Sequence, residues 1–220
     1  MKICVVTGKR KQTAVRLPKC DLALFGFGAL GVVDYESELD GKSEKFEQAA
    51  KLSQAAHCGV LCGCITNSRG MLRKSVAVAA NGKLLGISDM LHVLDGEEYK
   101  SGGTLGVYTL CGYKVGLCID NDLYFPEVIK ACAVCGCNIV AVHSESVADG
   151  IPPMLIRAYA YLYGMPVVLC AGGNAYFADV NGVLASSNQD VAMFETTPKN
   201  CYRLVTTRRR GLFDAETDDF

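Results

Sequence analysis

The residues best placed to do chemistry lie in the stretch GLCIDNDLYFPE, residues 116–127. An apolar run ends there in an acidic elbow, and Phe125-Pro126-Glu127 opens a helix. Sites of layered α/β folds lie at the carboxyl ends of strands, so Asp120 occupies a site position. A carboxylate in that place can be a nucleophile or can hold a ligand. Cys118 lies two residues earlier, on the same side of a regular strand but deeper in the sheet, where a thiol is usually an inert small hydrophobe. His143, in His143-Ser144-Glu145 after another apolar run, is placed to line the mouth of a pocket. Asp120, Asn121, Cys118, Tyr124 and His143 together make the candidate pocket. The cysteines form two groups, Cys58, Cys62 and Cys64 beside His57, and Cys132, Cys135 and Cys137. Paired CxxC knuckles would indicate structural zinc. Here the first group spans a helix end and a buried strand, and the second a helix and its end. Both read as small core residues, so no metal and no cofactor is expected.

The elements that position these residues follow from periodicity. Apolar runs at Lys2–Val6, 21–25, 59–65, Val107–Leu110, 115–119, 138–142 and 166–170 predict strands. Asn81-Gly82, inside the run 76–85, and Asn181-Gly182 predict hairpins, because this dipeptide accepts two positive φ angles in a row. Phe46, Ala49, Leu52 and Ala56 recur at helical spacing over 43–56. Pro126 as first residue and Gly136 as stop predict a helix over 126–135, and a second spans 153–163, closed by Gly164. The residues 202–207 predict a last strand or arm. Strand–helix–strand units mixed with hairpins give an α/β layered fold with a mixed sheet or two sheets.

The chain has 220 residues and no low-complexity linker, which predicts one domain over 1–220. A domain of this size buries roughly 70% of the surface its unfolded chain exposes. Lys+Arg is 22 against 23 for Asp+Glu, a balance that excludes a broad basic surface for nucleic acid. The one basic run, Arg208-Arg209-Arg210, is offset by an acidic tail and reads as a solvated arm. No apolar segment reaches the ~20 residues a membrane helix needs. Met1 leads straight into a strand, and twelve cysteines follow without a secretory signal, so a reducing cytoplasm is expected.

Together these motifs resemble the nitrilase, or carbon–nitrogen hydrolase, superfamily. The family's strand ends in Ile-Cys-Tyr-Asp, followed by Phe-Pro-Glu; here the frame reads Ile119-Asp120-Asn121-Asp122 and Phe125-Pro126-Glu127. The helix end at 133–140, the helix holding Leu155-Ile156-Arg157-Ala158 and the late Asn181-Gly182 hairpin are similar in order. The likeness covers about residues 1–213. It implies a four-layer α-β-β-α sandwich that often pairs into dimers, with a Glu–Lys–Cys triad that hydrolyses amides or nitriles. In that chemistry a thiolate attacks, a carboxylate serves as base and an ammonium stabilises the oxyanion. The resemblance puts the three positions on Phe27, Met90 and Asp120, so no catalytic residue is intact. His92 matches a histidine of the family that reads as structural. The short polar segment between the first two strands implies a first helix shortened or missing.

The expected function is therefore a pseudoenzyme that binds a small molecule or a partner. Phe27 and Met90 would make its pocket apolar, and burial would raise the Asp120 carboxyl unless Asn121 or backbone amides bonded to it. An apolar pocket with one acid suits a small amide or amine. The alternative is a carbon–nitrogen hydrolase with a rebuilt site, drawing on Cys118, Asp120, Asp89, Glu98 or His143. A third reading keeps the fold only as a dimerisation surface. A homodimer without nucleic-acid or membrane partners is expected.

Overall fold

Strands form where β-branched and other apolar side chains run together, and turns form where positive φ is cheap. The structure is a computed structural model that describes residues 1–7, 17–147 and 149–197. Its strands are β1 (Lys2–Val6), β2 (Leu22–Phe25), β3 (Val32–Asp34), β4 (Gly59–Ser68), β5 (Met71–Ala80), β6 (Lys83–Asp89), β7 (Val107–Leu110), β8 (Tyr113–Ile119), β9 (Ile139–Ser144), β10 (Val167–Ala171), β11 (Asn174–Ala178), β12 (Leu184–Ser187) and β13 (Val191–Glu195). Among the described residues four α-helices join them: α1 (Tyr35–Leu39), α2 (Lys45–Ala56), α3 (Pro126–Val134) and α4 (Ile151–Tyr163).

The strands make two sheets. One runs β13-β1-β2-β4-β5-β6, with β3 added beside β4; the other runs β12-β11-β10-β9-β8-β7. Three separate cores define the layers. Ile3, Leu24, Leu61 and Val78 of the first sheet meet Leu117, Ile119, Ala141 and Val168 of the second between the sheets. Phe46 and Ala49 of α2 cover the outer face of the first sheet. Ile129 of α3 and Ile156 of α4 cover the outer face of the second. Each fully buried aliphatic side chain of this kind contributes roughly 1.5–3 kcal/mol. The fold is an α-β-β-α sandwich.

Local sequence accounts for the joints. Asn81 (φ 52°) and Gly82 (φ 76°) turn β5 into β6. Asp179 Oδ1 accepts the N–H groups of Asn181 and Val183 at 2.9 and 2.8 Å, shaping the β11–β12 connection. Arg157 Nε of α4 donates to the Gly182 carbonyl at 2.7 Å, so that helix holds the same hairpin.

Several elements depart from the sequence reading. β4 and β5 extend to Ser68 and Met71, pairing through a turn at Arg69 (φ 52°) and Gly70 (φ 82°). Residues 66–74 are mostly polar, so apolar periodicity does not mark this extension. The short β3, the short α1 and the strand β13 are likewise too brief or too mixed to announce themselves. The segments 8–16, where the shortened helix is expected, and 202–210, with the predicted last strand and the basic run, lie outside the described residues. Among the described residues no helix is long and apolar enough to cross a membrane.

Candidate functional site

The site is built at the end of β8. That strand lies parallel to β9, with Ile119 opposite His143. The chain then turns at Asp120, whose φ of 49° is in the left-handed region that costs a residue with a side chain. A 3-10 turn, Asp120–Tyr124, follows, and Pro126 starts α3. The turn is fixed by Asp122, which is 2% exposed. Its carboxylate accepts the N–H groups of Leu91 and His92 at 2.9 and 2.8 Å, and His92 Nδ1 lies 2.9 Å away. Burial pushes the Asp122 carboxyl above its ordinary value, and these bonds oppose the rise. The His92 ring stacks on Phe125 with centroids 3.8 Å apart. The elbow of the second sheet is thus tied to the segment leaving β6 in the first.

At the elbow the Asp120 carboxylate is surrounded by donors. Oδ1 accepts from Ser144 Oγ at 3.1 Å and from the Glu145 N–H at 3.2 Å. Oδ2 is ion-paired with Lys74 Nζ. Lys74 belongs to β5, with its side chain only 5% exposed, so the pair spans the two sheets. Its ammonium also lies 3.2 Å from Glu145 Oε2 and 4.9 Å from the centre of the Tyr99 ring. Burial disfavours that charge, but the bond and charge of Asp120, joined by Glu145, outweigh it and hold the lysine above its ordinary value.

Lys74 was invisible to the sequence reading, which starts this strand at residue 76. The signal was a lysine two residues before Val76 and four before Val78, and alternation turns all three toward the space between the sheets. Its carbonyl accepts the Met90 N–H at 2.8 Å, so Lys74 is the cross-strand neighbour of the position to which the resemblance gives the lysine. Met90 itself is fully buried in the inter-sheet core, and Phe27 packs partly buried against the same core.

The other expected residues disperse. Asn121 does not reach Asp120; its Nδ2 donates to Glu97 Oε2 at 2.7 Å. Cys118 is fully buried on the opposite side of β8, in the core under α3 and α4, because the chain twists out of strand geometry at Asp120. Burial pushes its thiol well above the ordinary value. His143 does not line a mouth. It is 0% exposed, with neither ring nitrogen in a hydrogen bond among the described residues. Burial lowers the imidazole to about 4, and the nearby Leu61 carbonyl opposes this only in part. Tyr124 is exposed. Asp89 accepts from Ser75 Oγ at 2.6 Å and lies 3.7 Å from Arg73, away from Asp120. Among the described residues no three Cys, His, Asp or Glu side chains are arranged to hold a metal ion. Cys132 and Cys137 instead pack over Gly116, where a Cβ would come within 2.6 Å of the Cys132 sulfur.

No family model matches the chain, and no curated protein matches its sequence. Solved structures do match its shape. A cysteine-to-alanine variant of the Nesterenkonia AN1 amidase from the nitrilase superfamily superposes with a TM-score of 0.73 at 14% identity, over 96% of this chain and 95% of that one. A glutamate-to-glutamine variant of the amidase, with acrylamide added at its active site cysteine, gives 0.72 at 14% identity over 96% and 98%. Saccharomyces cerevisiae Nit3, a member of branch 10 of the nitrilase superfamily, gives 0.73 at 15% identity over 100% and 97%. The α-β-β-α sandwich with its two sheets is therefore the fold of these nitrilase-superfamily structures.

Proposed function

We propose that this chain is a non-hydrolytic protein of nitrilase fold, a pseudoenzyme that binds a small molecule or a partner beside Asp120. The observation that carries this reading is the state of that carboxylate. It takes the place where the resemblance puts a thiol, and both its oxygens are engaged by Lys74, Ser144 and the Glu145 amide. A carboxylate held in this way is a poor nucleophile, and Phe27 and Met90 offer neither a base nor a cation. A small amide or amine is the ligand class, meeting the half-exposed Glu145 carboxylate and the exposed Tyr124. The protein acts as a cytoplasmic homodimer in this reading, which sedimentation would test.

A rebuilt carbon–nitrogen hydrolase is the second reading, favoured by one observation: Lys74 and Glu145 set an ammonium and a carboxylate 3.2 Å apart. Two of the three chemical types are then present, and the thiol is lacking. Ammonia release from a panel of amides, nitriles, ureas and N-carbamoyl compounds separates the two. The expected result is release no greater than that of Asp120→Ala and Cys118→Ser. Release abolished by Asp120→Ala would make the hydrolase the correct reading.

A further inference from the structure

The donors around Asp120 converge as they would on a bound anion. Lys74 Nζ from β5, and the Ser144 Oγ and Glu145 N–H side by side at the end of β9, meet on one carboxylate, with the Ser144 hydroxyl shared with the Ser146 carbonyl. Lys74 and Ser144 are themselves nearly fully buried, so water solvates neither well. The occupant is supplied by a residue held at a φ of 49°, a backbone state that a side chain at this position does not favour.

We infer that Lys74, Ser144 and the Glu145 amide form a carboxylate-binding hole, and that Asp120 fills it as a tethered internal ligand. The inference rests on the non-hydrolytic reading, in which Asp120 is an occupant and not a nucleophile. The chemical class the hole accepts is a small monocarboxylate. In the native chain the hole is closed to free ligand by the chain's own acid, an autoinhibitory contact. Any small molecule bound beside Asp120 then docks against Glu145 and Tyr124 and leaves the hole untouched. Three donors set at fixed positions lose little freedom on binding, which favours a two-oxygen anion of matching size over a single spherical ion such as chloride.

Emptying the hole tests this. Asp120→Ala removes a group the size of formate, and Asp120→Gly one the size of acetate. The glycine variant also relieves the left-handed backbone, so it keeps the test open if the alanine variant folds poorly. Melting temperature is followed against formate, acetate and chloride at constant ionic strength. The expected result is a saturable rise for both variants, formate preferred by Asp120→Ala and acetate gaining in Asp120→Gly. At about 100 times the dissociation constant the rise reaches roughly 5–10 °C. Wild type stays flat, and Asp120→Gly combined with Lys74→Met loses the response. A folded glycine variant without an anion-specific rise would overturn the inference, as would an equal rise in wild type or in the Lys74→Met background. Ammonia release by wild type would sink the non-hydrolytic reading and leave this titration to be judged on its own.

Discussion

His143 is a polar ring in an apolar place, and its cost can be read by titration. The folded imidazole is lowered from 6.5 to about 4, because burial disfavours its charge. The unfolded chain therefore binds a proton that the folded chain refuses between these values. Stability is intact above pH 6.5, falls as pH drops through this window, and levels near pH 4. One buried group shifted this far costs roughly 3 kcal/mol at the acid end. His143→Leu is expected to remove that slope from denaturation curves measured between pH 4 and 7. It should also raise stability at pH 7 by about 1 kcal/mol, since an unpaired buried donor disappears. An unchanged slope would assign the acid sensitivity to another group. Asp120 shows what the sequence could and could not say at this scale. Its place at a strand end was legible from an apolar run and a proline. Its partner was not, because Lys74 stands 46 residues earlier on another sheet, and no local pattern encodes that meeting.

The tie between the 3-10 turn and the segment after β6 works at the scale of elements. Asp122 takes two backbone N–H groups that have no strand partner, those of Leu91 and His92. Asp122→Ala strands both donors in a mostly buried place and is expected to cost about 3 kcal/mol. Amide exchange at Leu91 and His92 should accelerate far more than exchange in the centre of β4 or β9. Uniform acceleration would mean that the turn and the sheets open as one unit. Asp122→Asn, which keeps an acceptor, should fall between the two. No one-sided period marks α4 or β10: Met154 and Leu162 of α4 are exposed while Ile156, Tyr159 and Ala160 are buried. The helix α4 was readable from Gly164 at its end, and β10 from a continuous apolar run buried on both faces. β3 and α1 were not, since three and five residues give too few repeats for a period to show.

The whole molecule determines which thiols meet solvent. Among the described residues Cys111 and Cys135 are exposed, while nine other cysteines, Cys118 included, are buried. Iodoacetamide applied to the native protein should label those two quickly. Peptide mapping should find Cys118 unlabelled until denaturant is added, and fast labelling there would revive it as a nucleophile. The layered architecture was legible from the alternation of elements, but the two-sheet order was not. That order depends on β1 finding β13, with Lys2 opposite Glu195 and Val6 opposite Val191. The pairing has a consequence in time. At about 5–20 residues per second, a ribosome needs roughly 10–40 s to make the chain between these partners. For that interval β1 is paired with β2 on one edge only, and the edge that β13 will cover stays open to pairing with other chains until its partner strand emerges.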